Sequence, residues 1–212
     1  MHKKGLYEKY FKRPFDFTAS LIAFVVLLPL LLFIAILIRL KLGSPIIFKQ
    51  KRPGLNGKTF TLYKFRTMTE RKDENGKLLS DKERLSGFGN FLRSTSMDEL
   101  PEILNIIKGD MSIVGPRPLL IEYLKLYDEK QKKRHEVNPG LTGLAQISGR
   151  NKLSWEEKFD LDIQYLNNIT FISDLKIILI TFFKTIKREG INSGTSDSME
   201  LFKGSEKKHK NL

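Results

Sequence analysis

The sequence lacks cysteine altogether, and its three histidines stand far apart, at positions 2, 135 and 209. A disulfide framework is therefore excluded, and so is a zinc site of ordinary ligand spacing. A chain without cysteine fits the reducing, cytoplasmic side of a membrane. Its 212 residues suffice for one domain plus an extra element, with an adequate core that needs no disulfides.

Acidic residues are scarce relative to basic ones: 24 Asp and Glu stand against 37 Lys and Arg, for a formal net charge of +13. This excess predicts an anionic partner, which could be nucleic acid, a phospholipid surface or a phosphorylated substrate. The basic residues are dispersed along the chain, and no RNP or helix-turn-helix pattern is present. We therefore expect a phospholipid membrane and phosphorylated substrates as partners, and no nucleic acid.

Residues 17–38 carry no charge at all. At about 1.5 Å per residue, a helix of this length could cross a hydrocarbon core of about 30 Å, so length alone favours an ordinary transmembrane helix. Pro29, near the middle of the run, removes a helical hydrogen bond and predicts a kink. Lysines and arginines flank the run on both sides, so both of its ends prefer the cytoplasm. We therefore predict a re-entrant helical hairpin.

The rest of the chain predicts an α+β fold that is mainly helical. Strand-like residues on either side of a Pro-Gly turn indicate a β-hairpin over residues 45–68. Residues 69–84 are polar and predict a surface loop or a short helix, and a second turn region is marked by Pro139, Gly140 and Gly143. Helices are predicted over residues 86–95, 97–108, 154–167 and 174–188. Lys108-Gly109 ends the second of these, and Ser154-Trp155-Glu156-Glu157 is a capping-box pattern that opens the third. The fourth helix is amphipathic, and its pattern is equally compatible with core packing and with a membrane surface.

An adjacent acid pair, Asp98-Glu99, opens the helix predicted over residues 97–108. The simplest interpretation is a helix cap, because Ser96-Met97-Asp98-Glu99 matches a capping box. A carboxylate at a helix start also lies in a positive field, where it stays ionised and can bind metal or attack phosphorus. Neighbouring helix residues point about 100° apart, so the two carboxylates do not face each other across a bond as a glycosidase pair does. One nucleophile with one assistant beside it suits this spacing.

The ordered string DELP, N, KGDMS and GPRP within residues 94–118, together with the apolar N-terminus, resembles the bacterial sugar transferases. These are the monotopic polyprenyl-phosphate phosphoglycosyl transferases, which load a sugar phosphate onto a lipid carrier. The resemblance covers roughly residues 8–190. It implies that Asp98 is the nucleophile and a magnesium ligand, with Mg²⁺ as cofactor, and that Glu99 assists.

The resemblance also implies a set of substrate-binding residues. Lys64 would lie near the metal and the phosphates, and Arg93 would bind phosphate, since a guanidinium can hold two phosphoryl oxygens at once. Arg117 stands between two prolines that nearly fix its backbone, and we expect it to bind the nucleotide diphosphate. Gln146 and Arg150, in the string AQISGRN, would contact the sugar or the uridine.

The implied reaction transfers a sugar 1-phosphate from a UDP-sugar to polyprenyl phosphate, which is undecaprenyl phosphate in bacteria, and releases UMP. The enzyme would lie in the bacterial inner membrane with its active site on the cytoplasmic face. We expect a re-entrant membrane helix with basic flanks in residues 1–42, a catalytic domain in 43–190 and a disordered tail in 191–212, with amphipathic helices at the membrane surface. The alternative is a non-enzymatic basic anchor or scaffold that binds anionic lipid.

Overall fold

A computed structural model describes residues 2, 4–149, 152–187 and 201–204, with the side chain of residue 186 left aside. A long N-terminal helix, α1 (Lys12–Lys41), precedes a body of short helices and two small sheets. The mainly helical α+β class is thus confirmed. Within the described residues, α1 and the turn before it form the one helix that is long and apolar enough to cross a membrane.

Helix α1 runs through Pro29 as one continuous helix, and its two ends contact the same folded body. Near its start, Lys12 Nζ donates to Asp174 Oδ2 at 2.5 Å, and the Asp16 carboxylate accepts from the Ser112 hydroxyl. Near its end, Ile38 is fully buried in a cluster of apolar side chains from the body. The middle of α1 projects large exposed side chains, namely Leu21, Ile22, Val25, Val26, Leu32 and Phe33.

The predicted β-hairpin is confirmed as two antiparallel strands, β1 (Ile47–Pro53) and β2 (Thr59–Phe65). The segment after the hairpin contains the short helix α2 (Asp81–Arg84) and a β-bridge between Lys72 and Leu78, and the rest of residues 69–84 is the surface loop that its polarity predicts. Helix α3 (Gly87–Ser94) confirms the helix predicted over 86–95.

The helix predicted over 97–108 is present, but its first half is a tighter 3₁₀ turn, Met97–Glu102, that leads into α4 (Ile103–Lys108). Ser96 takes a left-handed conformation, and its side chain makes no cap hydrogen bond, so the capping box suggested by the sequence does not form. The buried Asn105 joins α4 to the hairpin: its Oδ1 accepts from the Tyr63 N–H at 3.1 Å, and its Nδ2 donates to the Thr61 carbonyl at 2.7 Å. This contact fixes the acid-bearing turn against β2.

A second, parallel sheet pairs β3 (Ser112–Val114) with β4 (Gly140–Thr142). Part of the predicted turn at 139–143 is therefore a strand instead. A Cβ atom on Gly140 would lie 2.1 Å from the Gly115 nitrogen, so only glycine allows this approach of the two backbones. The contact holds the Pro116–Pro118 segment in place beside the sheet.

The remaining α-helices are α5 (Glu129–Lys132), α6 (Leu144–Ser148), α7 (Trp155–Leu166) and α8 (Phe171–Lys187), and short 3₁₀ helices lie at Leu55–Gly57, Ile121–Lys125 and Lys133–Glu136. The capping box predicted at the start of α7 is confirmed, since Ser154 Oγ accepts from the Glu157 N–H at 3.2 Å and the Glu157 side chain bonds back. Helix α8 starts three residues earlier than predicted. Its buried side packs on the core through Ile177, whereas Ile172, Leu175, Leu179, Phe182 and Phe183 are exposed.

Most of the tail predicted over 191–212 lies outside the described residues. The part that is described, residues 201–204, rests against the body through Phe202, whose side chain is only 4% exposed. Phe202 joins a cluster of aromatic side chains with Tyr123, Tyr127 and Phe159.

Candidate active site

A cavity of about 840 Å³ lies where the hairpin, the acid-bearing turn, the Pro116–Pro118 segment and helices α6 to α8 meet. Its walls carry cations, several apolar side chains and three carboxylates, those of Glu99, Glu102 and Asp162. Five of the residues predicted from the sequence line it, namely Lys64, Arg93, Glu99, Arg117 and Gln146. Asp98 lies beside this lining, next to Glu99, and Arg150 lies outside the described residues.

Glu99 is fixed by two cations. Lys64 Nζ lies 2.6 Å from Glu99 Oε1, and Arg117 Nη2 lies 2.5 Å from the same oxygen. Although burial disfavours its charge, the field of Arg117 and then of Lys64 holds the pKa of Glu99 well below its usual range. Glu99 is therefore an ionised carboxylate that orients two cavity cations, and not a proton carrier at neutral pH.

The partners and the pKa of the Asp98 carboxylate differ from those of the neighbouring Glu99. In the part of the chain that the structure describes, the Asp98 carboxylate makes no hydrogen bond or ion pair. Burial, and then repulsion by Glu99, raise the pKa of Asp98 to about 6, while Lys64, Arg117 and Arg93 act in the opposite direction. The positive field of a helix start, expected from the sequence, is thus outweighed by burial, and the nearby cations limit the rise. Asp98 remains mostly ionised at neutral pH and has lone pairs free to react or to bind a cation.

A third carboxylate, Glu102, joins this group and was not singled out by the sequence. Glu102 is 2% exposed, and its Oε1 lies 3.1 Å from Lys64 Nζ. Burial and then the charge of Glu99 raise the pKa of Glu102 to about 7. Its only local signal is its position in the DELPE string, one turn after Asp98.

The lining of the cavity contains two further arginines that the sequence did not single out, Arg52 and Arg134, of which Arg134 is buried in an ion pair with Asp162. Arg52, from β1, lines the cavity, and its Nη2 donates to Gln50 Oε1 at 2.7 Å. Its buried Nε has no hydrogen-bond acceptor among the described residues. Burial, and then the charge of Arg117, lower the pKa of Arg52. Like Arg117, Arg52 precedes a proline, and this shared pattern is the signal that could have identified it.

Arg93 and Gln146 contribute groups from two other walls. The Arg93 Nε donates to Thr67 Oγ1 at 3.0 Å, which aims this exposed guanidinium along the edge of the cavity. Gln146, on α6, has both amide atoms buried and without a partner in the described structure. An unpaired buried amide has a strong tendency to bind a polar ligand, since leaving it unpaired costs about 1–3 kcal/mol.

The acidic residues beside the cavity could hold magnesium only together with a substrate. Among the described residues, no cluster of three or more Asp, Glu or His side chains could hold a metal by itself. Magnesium, however, commonly binds through one or two carboxylates together with substrate phosphates. The unpaired Asp98 carboxylate beside a cationic cavity fits such a site, because a bound diphosphate would supply the remaining oxygens.

Comparison with known proteins gives one family. The family model described as bacterial sugar transferase matches residues 7–188. The uncharacterized sugar transferase EpsL of Bacillus subtilis is 54% identical over 194 residues, which cover 92% of this chain and 96% of EpsL. The exopolysaccharide production protein ExoY of Rhizobium meliloti is 39% identical, with 87% of both chains covered.

A longer relative adds a named reaction. The UDP-glucose:undecaprenyl-phosphate glucose-1-phosphate transferase of Klebsiella pneumoniae is 38% identical over 184 residues. The match covers 82% of this chain but only 40% of that relative, so this chain corresponds to only part of that longer protein. Since the family match extends over residues 7–188, the chain belongs to the bacterial sugar transferases, and it is a phosphoglycosyl transferase, as the sequence predicts.

Proposed function

We propose that the chain transfers a sugar 1-phosphate from a UDP-sugar to undecaprenyl phosphate and releases UMP. One observation carries this proposal: an unpaired, mostly ionised Asp98 carboxylate lies next to Glu99, which orients Lys64 and Arg117 at a cationic cavity. The names of several relatives support it, since they are undecaprenyl-phosphate sugar-phosphate transferases. The reaction would be the first membrane step in the synthesis of a glycoconjugate.

The proposed chemistry has two displacements at one phosphorus atom. An Asp98 oxygen bonds to the phosphorus next to the sugar, while the bond from this phosphorus to the bridging oxygen breaks and UMP leaves with the electron pair. An oxygen of the lipid phosphate then attacks the phosphosugar-aspartate, and the aspartyl oxygen leaves as a carboxylate. Two steps at a positioned nucleophile replace one difficult displacement between anions.

Charge neutralisation falls to the residues around Asp98. Arg117 and Lys64, oriented by Glu99, would bind diphosphate oxygens, and Arg93 and Arg52 extend the positive surface on either side. Magnesium, held by Asp98 and substrate oxygens, would supply further positive charge against the diphosphate. Gln146 would hydrogen-bond the sugar or the base through its unpaired amide. Arg150 is proposed as its partner in this role.

We further propose that α1 enters the membrane and returns to the cytoplasmic face. Both of its ends pack on the same folded body, through Asp174 at one end and through the cluster around Ile38 at the other. Its middle exposes large apolar side chains that water would solvate poorly. Pro29 lies in this middle section, where a bend would turn the helix back. The exposed apolar side of α8 would lie on the same lipid surface.

The domain boundaries follow from this topology. Residues 1–42 would form the membrane element, 43–190 the catalytic domain and 191–212 the tail. The basic residues on both flanks of α1 would face anionic headgroups of the bacterial inner membrane.

Release of UMP tests the proposed reaction directly. Purified protein with Mg²⁺ is incubated with a panel of UDP-sugars, with and without undecaprenyl phosphate, and UMP and lipid-linked product are quantified. We expect sustained UMP release with at least one donor only when the lipid is present. A folded, membrane-bound protein that released no UMP from any donor would favour the non-enzymatic anchor.

A further inference from the structure

The C-terminal residues 201–204 lie outside the stretch that the family model matches, yet Phe202 is packed into the body of the enzyme. Its ring centroid lies 5.1 Å from that of Phe159 and 5.6 Å from those of Trp155 and Tyr123. Its backbone N–H donates to the Tyr123 hydroxyl oxygen at 3.2 Å. Such edge-to-face and tilted contacts at this range stabilise aromatic clusters beyond simple burial.

Two of the residues that contact Phe202 are themselves part of the cavity wall. Trp155 and Tyr123 both line it, whereas Phe202 lies behind them and does not. Lys158, another lining residue, lies with its Nζ 4.9 Å from the centroid of the Trp155 ring. The position of the Trp155 ring thus determines the surface of this wall and the location of a cation on it.

We propose that Phe202 is a positioning residue for the donor site: it holds Trp155 and Tyr123 in place from behind, so that the cavity wall is preformed when the sugar nucleotide binds. Without the Phe202 ring, a space would open behind the wall, and Trp155 would gain rotational freedom that substrate binding would have to remove. The proposal rests on the proposed function for the identity of the donor, a sugar nucleotide.

Wall residues of this kind act on binding more than on chemistry. Asp98 and the cations beside it do not contact Phe202, so their arrangement should survive its removal. Loss of Phe202 should therefore raise KM for the donor about tenfold while kcat changes less than about twofold. A merely structural role would lower the amount of active enzyme and leave KM unchanged.

Trp155 is the only tryptophan of the chain, so its fluorescence reports on this wall alone. We would compare the wild type with Phe202→Ala, with Phe202→Leu, which keeps much of the apolar volume, and with Leu201→Ala as the matched control. Leu201 is adjacent in sequence but 66% exposed. The measurements are Trp155 emission, its quenching by acrylamide, its response to titrated UDP with Mg²⁺, and KM and kcat for the best donor of the panel.

We expect red-shifted, more quenchable Trp155 emission, weaker UDP binding and the raised KM in Phe202→Ala, partial recovery in Phe202→Leu, and wild-type behaviour in Leu201→Ala. Unchanged emission and KM in Phe202→Ala, or a fall in kcat alone, would overturn the proposal. If Phe202→Ala does not fold, a folded Phe202→Leu variant with wild-type emission and KM would overturn it equally. A wild type without turnover would contradict the proposed function only, because the emission and acrylamide measurements need no substrate and still decide whether Phe202 orders the wall.

Discussion

Arg117 Nη2 and Glu99 Oε1 lie 2.5 Å apart, in an ion pair at the wall of the cavity. The pair keeps Glu99 ionised and aims the guanidinium, while Asp98, one residue earlier, is left without such a partner in the described structure. Two adjacent carboxylates thus have different environments. Glu99 forms ion pairs with two cations, whereas Asp98 interacts with the nearby cations only at longer range. We expect this division to separate their roles, with Asp98 reacting and Glu99 organising.

Asp98→Asn should abolish turnover, with a loss of at least about a thousandfold, because an amide is a poor nucleophile at phosphorus. Without lipid acceptor, the wild type should acquire the mass of one sugar phosphate and release up to one equivalent of UMP, and the variant should do neither. Intact-protein mass spectrometry measures the adduct. The exposed Asp81, changed to Asn, is the control. An active Asp98→Asn enzyme without adduct would mean direct transfer between the substrates.

The pH dependence of kcat/KM should follow the ionisation of Asp98. The pKa of Asp98 is about 6, so activity should fall as the pH drops through this value and the carboxylate takes up a proton. Arg93 lowers the pKa of Asp98, and its removal should raise it. Arg93→Gln should therefore shift the acidic limb of the profile to higher pH, besides weakening donor binding. A limb at the same pH in both enzymes would indicate that another group controls the profile.

Arg117→Ala should reduce kcat/KM by about a hundredfold or more, because a preorganised cation at the developing charge is removed. Its side chain is 43% exposed, and Glu99 keeps Lys64 as a partner, so the cost in unfolding free energy should be only about 1 kcal/mol. Thermal unfolding and donor kinetics measure the two effects separately. Lys132→Ala, which breaks an exposed ion pair with Glu129, should leave both unchanged. A large loss of stability in Arg117→Ala would assign this arginine to the fold.

Removal of divalent cations should abolish turnover, since the carboxylate must otherwise approach an uncompensated diphosphate. Excess EDTA should stop UMP release, and added Mg²⁺ should restore it. Asp98→Asn should also weaken Mg²⁺-dependent binding of UDP, measured by Trp155 quenching. Full activity in EDTA would show that the cations of the chain suffice alone.

The topology of α1 can be tested with single cysteines, because the chain has none. Gly5 has open space around it, and Lys49 is an exposed residue of β1, so both accept cysteine, whereas Gly43 has a positive φ that disfavours it. In intact cells an impermeant thiol reagent should label neither site, and after lysis it should label both. Pro29→Leu should straighten the helix and shift some molecules to a spanning form. Labelling of just one site from outside would establish a spanning helix.

Much of the architecture could be predicted because its signals are local. The apolar run, the Pro-Gly turn of the hairpin, the Ser154 cap and the Lys108-Gly109 helix end each depend on a few neighbouring residues, and each prediction located its element. Gly109 does take a positive φ at the end of α4. The short strand β4 was not predicted, because its three residues, between Pro139 and Gly143, become a strand only by pairing with β3, far away in sequence.

The site was less predictable for the same physical reason. Glu102 and Arg52 become cavity groups through burial and through long-range neighbours, which no local pattern encodes. The predicted capping box failed because Ser96 must reverse the chain after α3, and a left-handed residue in that position cannot also cap the next turn. Phe202 could not be found at all from a segment whose composition resembles a disordered tail.

Lys12 and Ile38, at opposite ends of α1, hold one and the same body. If α1 is re-entrant as proposed, the cavity cannot rise or sink relative to the lipid without breaking one of these attachments. In the proposed re-entrant arrangement, Asp98 therefore stays at a constant height above the bilayer midplane. A lipid phosphate that diffuses within the leaflet then needs to search only two dimensions to meet it. The length of the isoprenoid tail has no bearing on this encounter, provided that it keeps the phosphate at the level of the headgroups.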